Sequence, residues 1–126
     1  MTALPQIREL RALDVFDIVP AGHFALPVTG EAWAPHLRPG EFAVIDTTDT
    51  APQIGELFAI LIQTRDGDRP MIVQSYRSRI CPAEVGTMYR FAGQRFAGVI
   101  AGDGPLSAAG WAERCRGRVV GVMAAG

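Results

Sequence analysis

The stretch ELFAILIQTRDGDRPMIVQSYRS, residues 56–78, consists of two apolar segments separated by a polar turn. Both segments contain several β-branched and aromatic residues, the types that short strands favour. Between them, Asp66-Gly67 is a strong hairpin signal because glycine accepts a positive φ. The stretch therefore predicts two strands, 56–64 and 70–78, paired antiparallel.

Apolar segments of the same kind, bounded by Gly, Pro and Asp, occur on both sides of this hairpin. They are HFALPV (23–28), EFAVID (41–46), MYRFAG (88–93), FAGVIAG (96–102) and GRVVGVM (117–123). Many short strands separated by turn residues are typical of an all-β domain. We expect that domain to span residues 23–126, as one compact unit.

The N-terminal segment, residues 1–22, has a different pattern. Its apolar residues recur every three positions, with charged residues between them, at Leu4, Ile7, Leu10, Leu13 and Phe16. This spacing predicts one amphipathic helix, ended by Pro20-Ala21-Gly22. Its apolar stripe packs either against its own domain or against a partner chain. A further helical turn or two is expected around 106–114.

Composition excludes several classes of function. The net charge of the 126-residue chain is -1 and its pI is about 6.1, so it has no basic field for direct nucleic-acid binding. All 12 of its basic residues are Arg, and the chain contains no Lys. No apolar run is long enough to span a membrane, and no secretory signal is apparent, so we expect a cytoplasmic protein.

The segment VTGEAWAPHLRPGEFAVID, residues 28–46, has the form of turn, loop, turn and strand. These residues resemble the signature of the LexA-type S24 peptidases, approximately V-x-G-x-S-M-x-P-x-[LF]-x-x-G-D-x-x-x-V-D. The matching positions are Val28, Gly30, Pro35, Leu37, Gly40, the acidic Glu41, Val44 and Asp46. IGELFAILIQ and RGRVVGVM resemble later family strands in the same order. The resemblance covers roughly residues 23–123 and implies the S24 β-clip fold.

The resemblance implies a Ser nucleophile activated by a neutral Lys, and this chain has neither. The Ser position is Ala32, the neighbouring Met position is Trp33, and the base position falls on Gln74. Without any lysine a Ser-Lys dyad is impossible in every register. Arginine cannot replace it because its guanidinium stays protonated. We therefore expect a degenerate, non-catalytic member of the family.

Other side chains could carry a different chemistry. Ser75, Thr29 and His36 lie in or near the motif, and the cysteines Cys81 and Cys115 match no metal spacing. On an alternating strand Ser75 points away from Gln74, and His36 is best interpreted as an exposed or capping residue. Trp33 either fills the former cleft or presents an aromatic anchor to a ligand. No metal or cofactor is expected.

Taken together, these features predict a LexA-like oligomerisation or partner-binding module in a bacterial or phage regulatory system. Family resemblance implies a homodimer, and a separate DNA-binding regulator is a candidate partner. Two alternatives remain: a hydrolase with a nucleophile foreign to the family, and a small-molecule sensor that uses the emptied cleft.

Overall fold

A computed structural model describes residues 13–31, 33–77, 88–96 and 99–124. The strands are β1 Asp14–Phe16, β2 His23–Pro27, β3 Phe42–Asp46, β4 Leu57–Thr64, β5 Gly67–Arg77, β6 Met88–Phe96, β7 Val99–Ser107 and β8 Cys115–Met123, and the helix is α1 Ala108–Arg114. The prediction of an all-β domain built from many short strands is confirmed.

The strands form one sheet in the order β2-β3-β8-β4-β5-β6-β7, and β1 pairs with β8 beside this path. Within the described ranges, the pairing of β1 with β8 is parallel and the other pairs are antiparallel. The C-terminal strand β8 therefore lies inside the sheet, next to β3, β4 and β1.

The β4–β5 hairpin has the predicted position and direction. Its register runs from Thr64 opposite Gly67 to Leu57 opposite Gln74. Gly67 has a φ of 107°, which a residue with a side chain rarely adopts. The predicted Asp66-Gly67 turn is thus confirmed, because the backbone conformation at position 67 is one that favours glycine.

Alternation along β4 directs its side chains into two separate cores. Core one contains Val28, Leu37, Ala43, Ile45, Leu57, Ala59 and Val119. Core two contains Phe58, Ile60, Val73, Trp111 and Cys115. Because successive strand residues point to opposite faces, the continuous apolar run 57–62 of β4 contributes to both cores.

A bulge in β8 changes the face that its side chains occupy. The register with β4 shifts between Ala59 and Ile60, which pair with Gly117 and Cys115 respectively. Cys115 consequently lies in core two, whereas Val119 lies in core one. Gly117 has a φ of 144°, and a Cβ there would come within 2.2 Å of the Asp46 carbonyl oxygen.

The helix α1 lies within the segment predicted to be helical. The Ser107 side chain accepts a hydrogen bond from the Gly110 backbone N–H at 3.1 Å, which caps the first turn. Trp111 is fully buried, and its ring meets Phe58 edge-on at a centroid distance of 5.1 Å. The helix thereby closes core two.

The prediction of an N-terminal helix that extends to Phe16 is wrong at its C-terminal end, where residues 14–16 form β1. Backbone pairing with β8 and the packing of the Phe16 ring on Gly121 outweigh the three-residue apolar spacing, since tertiary contacts routinely override local propensity. The earlier part of that predicted helix, residues 1–12, lies outside the described residues.

Candidate functional site

The loop between β2 and β3 carries the family-like motif and is closed at its base by backbone hydrogen bonds. The Val28 N–H donates to the Glu41 carbonyl at 2.9 Å, and the Gly40 N–H donates to the Val28 carbonyl at 3.1 Å. Val28 and Leu37 are buried in core one. The apolar motif positions therefore anchor the loop to the body of the protein.

Trp33 attaches this loop to β5. Its indole Nε1–H donates to the Ile72 carbonyl at 3.3 Å. The ring is half-buried and packs against core one, as Ile72 does. This packing favours the interpretation in which Trp33 fills the space beside the motif. Its neighbour Ala32 lies outside the described residues.

Gln74 lies two residues beyond Ile72 on the same face of β5, opposite Leu57. Its side chain is only 6% exposed, and its Nε2 donates to the Gly55 carbonyl at 3.0 Å. The position that would hold the family's base is thus a buried, neutral amide whose hydrogen bond fixes the turn before β4. An amide has no useful basicity, so it cannot activate a nucleophile.

Ser75 is fully buried on the opposite face of β5. Its hydroxyl donates to the Gln53 carbonyl, and its backbone N–H donates to the Glu56 carbonyl at 3.1 Å. A second backbone bond, from the Gly55 N–H to the Ser75 carbonyl, measures 2.9 Å. Ser75 therefore fixes residues 53–56 against β5, and the structure does not bring it together with Gln74.

Thr29 and His36 also do not form a catalytic pair. Thr29 is exposed and His36 is half-buried. Among the described residues no hydrogen bond joins their side chains.

The thiol of Cys115 is free and lies in core two at 2% exposure. Burial raises the pKa of this thiol, although a hydrogen bond from the Gly117 backbone and the charge of Arg116 partly oppose the effect. A thiol with a raised pKa is a poor nucleophile at neutral pH. Cys81 lies outside the described residues.

A polar cluster at the end of β3 was not predicted from the sequence. The Asp46 carboxylate accepts hydrogen bonds from the Thr48 hydroxyl at 2.7 Å and the Thr48 backbone N–H at 3.0 Å. These bonds, with the charges of His23 and Arg118, lower the pKa of Asp46. The signal was present, because an Asp followed two residues later by Thr favours a local side-chain-to-backbone turn.

A second polar contact beside this turn joins Arg118 to Asp49. The Arg118 Nε lies 2.7 Å from the Asp49 Oδ2, and both side chains are about a quarter exposed. The pair ties the loop after β3 to β8.

Comparison with known proteins identified no relative: no family model, no curated protein and no solved structure matches this chain. Within the described ranges, no helix has the length and apolarity to cross a membrane. The same residues contain no group of three His, Cys, Asp or Glu side chains arranged to hold a metal ion.

Proposed function

We propose that this chain is a non-catalytic, LexA-like domain of the S24 type, which acts as an oligomerisation or partner-binding module in a bacterial or phage regulatory system. One observation carries the proposal. The motif loop packs through Trp33 against β5, the strand on which the base position is a buried Gln74 bonded to the Gly55 carbonyl.

This arrangement supports the register in which Ala32 and Gln74 correspond to the nucleophile and the base. Trp33 directly follows Ala32, and its partner Ile72 is two residues from Gln74 on one strand face. The loop and the strand therefore contact each other next to both predicted positions, which supports the proposal. A methyl group and an amide cannot attack or deprotonate anything, so the retained architecture serves packing rather than hydrolysis.

The alternatives have less support from the contacts. A hydrolase based on Ser75 requires a base, yet that hydroxyl donates to the Gln53 carbonyl from a fully buried position. A sensor requires an open cleft, whereas Trp33 packs against core one and its indole N–H is already bonded. A module that presents its outer surface to another chain needs neither feature.

Labelling with a broad fluorophosphonate serine-hydrolase probe tests the absence of catalysis. The wild-type chain and A32S are both expected to remain unlabelled, at pH 7 and at pH 9, because no base is present in either. The double variant A32S/Q74K is expected to gain labelling, because burial at position 74 favours a neutral lysine amine.

S75A is the matched control in this experiment. Labelling of the wild-type chain that disappears in S75A would overturn the proposal in favour of a hydrolase. Labelling of A32S alone would mean that a base has been overlooked. A dimer mass by light scattering is expected of the same purified protein.

A further inference from the structure

The outer edge of β5, on the side away from β4, is only partly paired. β5 has 11 residues, and β6 pairs with the last four of them, from Gln74 to Arg77. Residues 68–73 pair with β4 on the inner side and, among the described residues, with no strand on the outer side. An unpaired edge presents backbone N–H and C=O groups to which another chain can add a strand. This part of β5 therefore needs protection if it is to stay unpaired.

Hydrogen bonds to β5 show which of its backbone groups face outward. The Ser75 N–H donates to the Glu56 carbonyl, and the Ser75 carbonyl accepts from the Gly55 N–H, so Ser75 faces the chain that enters β4. In an antiparallel strand the backbone groups of successive residues alternate between the two edges. Residues 68, 70 and 72 therefore direct their backbone groups outward, away from β4.

Trp33 occupies the first outward position beyond the ladder with β6. Gln74 opposite Ala92 is the last pair of that ladder, so the Ile72 carbonyl would accept the next hydrogen bond if the ladder continued. This carbonyl accepts from the Trp33 indole N–H instead, at 3.3 Å. The ring also packs against core one, which holds the indole in place. The acceptor that an added strand would meet first is thus already bonded.

Pro70 occupies the next outward position. Proline has no backbone N–H, so an added strand finds no donor there. Within sheets, proline is confined to places of this kind, where the missing N–H would face away from the paired neighbour. Nearer the hairpin turn, Asp68 and Arg69 are exposed charges, and Arg69 pairs with Asp66 at 3.6 Å. Proline and charged side chains are features that prevent pairing between edges.

We propose that Trp33 and Pro70 together block the outer edge of β5, residues 68–73, against pairing with the same edge of a second copy. Every copy carries this edge, and two identical edges can pair around a two-fold axis. Met71 is 40% exposed, so such a pair would also gain apolar contacts. The block goes beyond the proposed function, because it restricts contacts with other chains to surfaces other than this edge.

Removing both features from the edge tests the block. W33L keeps an apolar side chain against core one but lacks the indole donor, and P70V restores the N–H at position 70. In light scattering at rising concentrations, W33L/P70V is expected to reach a mass at least about twice that of the wild-type protein, because two wild-type units join. Since the wild-type mass is the reference, the result does not depend on whether the proposed homodimer forms.

Hydrogen–deuterium exchange locates the new contact. In W33L/P70V the amides of residues 68–73 should exchange more slowly as the concentration rises, whereas those of the wild-type protein should not change. Association without this protection would overturn the proposal, because the copies would then join through another surface. An unchanged mass of the folded double variant would overturn it as well.

V119A is the matched control, because it weakens core one without altering the edge of β5. It is expected to keep the wild-type mass. Equal association of V119A and W33L/P70V would attribute the effect to lost stability and contradict the block. If circular dichroism shows that W33L/P70V does not fold, W33F/P70V takes its place, since phenylalanine keeps a ring against core one and lacks the N–H. The same outcomes then decide the proposal.

Discussion

Individual glycines in this protein serve different purposes that can be distinguished by the space around them. Gly117 combines a φ of 144° with backbone atoms of Asp46 in the position where a Cβ would lie. Gly110, in α1, has ordinary contacts, with the nearest atom at 3.5 Å from a built Cβ. Position 117 therefore has no room for a side chain, whereas position 110 does.

Replacing these two glycines by alanine should therefore have opposite effects. G117A is expected to lower the free energy of unfolding by at least about 2 kcal/mol, because the methyl group collides with the backbone of β3 in a strained conformation. G110A is expected to raise it by up to about 1 kcal/mol, because alanine favours the helix. Urea unfolding measures the free energy of unfolding of both variants. Equal effects would contradict the difference in space between positions 117 and 110.

At the scale of the element, the end of β3 is fixed by side chains rather than by further pairing. Asp46 accepts two hydrogen bonds from Thr48, and the Thr47 N–H donates to the Gly22 carbonyl at 3.1 Å. The turn that follows brings Asp49 to Arg118 of β8. The polar residues after the strand thus determine where β3 ends and how the chain crosses to β4.

The lowered pKa of Asp46 gives this turn a pH dependence. Since the pKa of Asp46 is lower in the folded state, its contribution to stability is present above the unfolded pKa of about 4 and is lost as the pH falls through the folded value. D46N should therefore lose less stability than the wild-type protein as the pH falls from 5 to 2. Thermal unfolding across that range measures the difference.

T48V provides the matched variant for this measurement, because it removes the largest of the interactions that lower the pKa of Asp46. Its loss of stability with falling pH should lie between that of D46N and that of the wild-type protein. Parallel curves for the three proteins would mean that Asp46 does not contribute.

At the scale of the whole molecule, two cores share one sheet. β4 contributes Leu57 and Ala59 to core one and Phe58 and Ile60 to core two, and β8 contributes to both on either side of its bulge. Neither core can lose its strands without exposing the other. The two cores should therefore unfold together, as small single domains usually do.

The two tryptophans of the chain report on this coupling, since Trp33 packs against core one and Trp111 lies in core two. W111F leaves Trp33 as the reporter, and W33F leaves Trp111. Within each variant, the urea midpoint from tryptophan fluorescence is expected to equal the midpoint from far-UV circular dichroism. A fluorescence midpoint that precedes the circular dichroism midpoint in either variant would show that its core unfolds separately.

Part of the candidate site was predictable from the sequence. The hairpin placed Gln74 on a strand, and alternation placed Ser75 on the opposite face, because both follow from local geometry. The contact between Trp33 and Ile72 was not predictable in this way, since it joins residues 39 positions apart. The same holds for β1, whose residues 14–16 have a helix-like spacing and become a strand only beside β8.

The sequence by itself determined the all-β class, the Asp66-Gly67 hairpin and the absence of a Ser-Lys dyad, because each depends on residue type and local pattern. Only the tertiary structure decided that β8 lies inside the sheet, that a bulge beside Gly117 lets β8 contribute to both cores, and that Phe16 lies on Gly121. These features depend on backbone pairing between distant segments, which no local preference encodes.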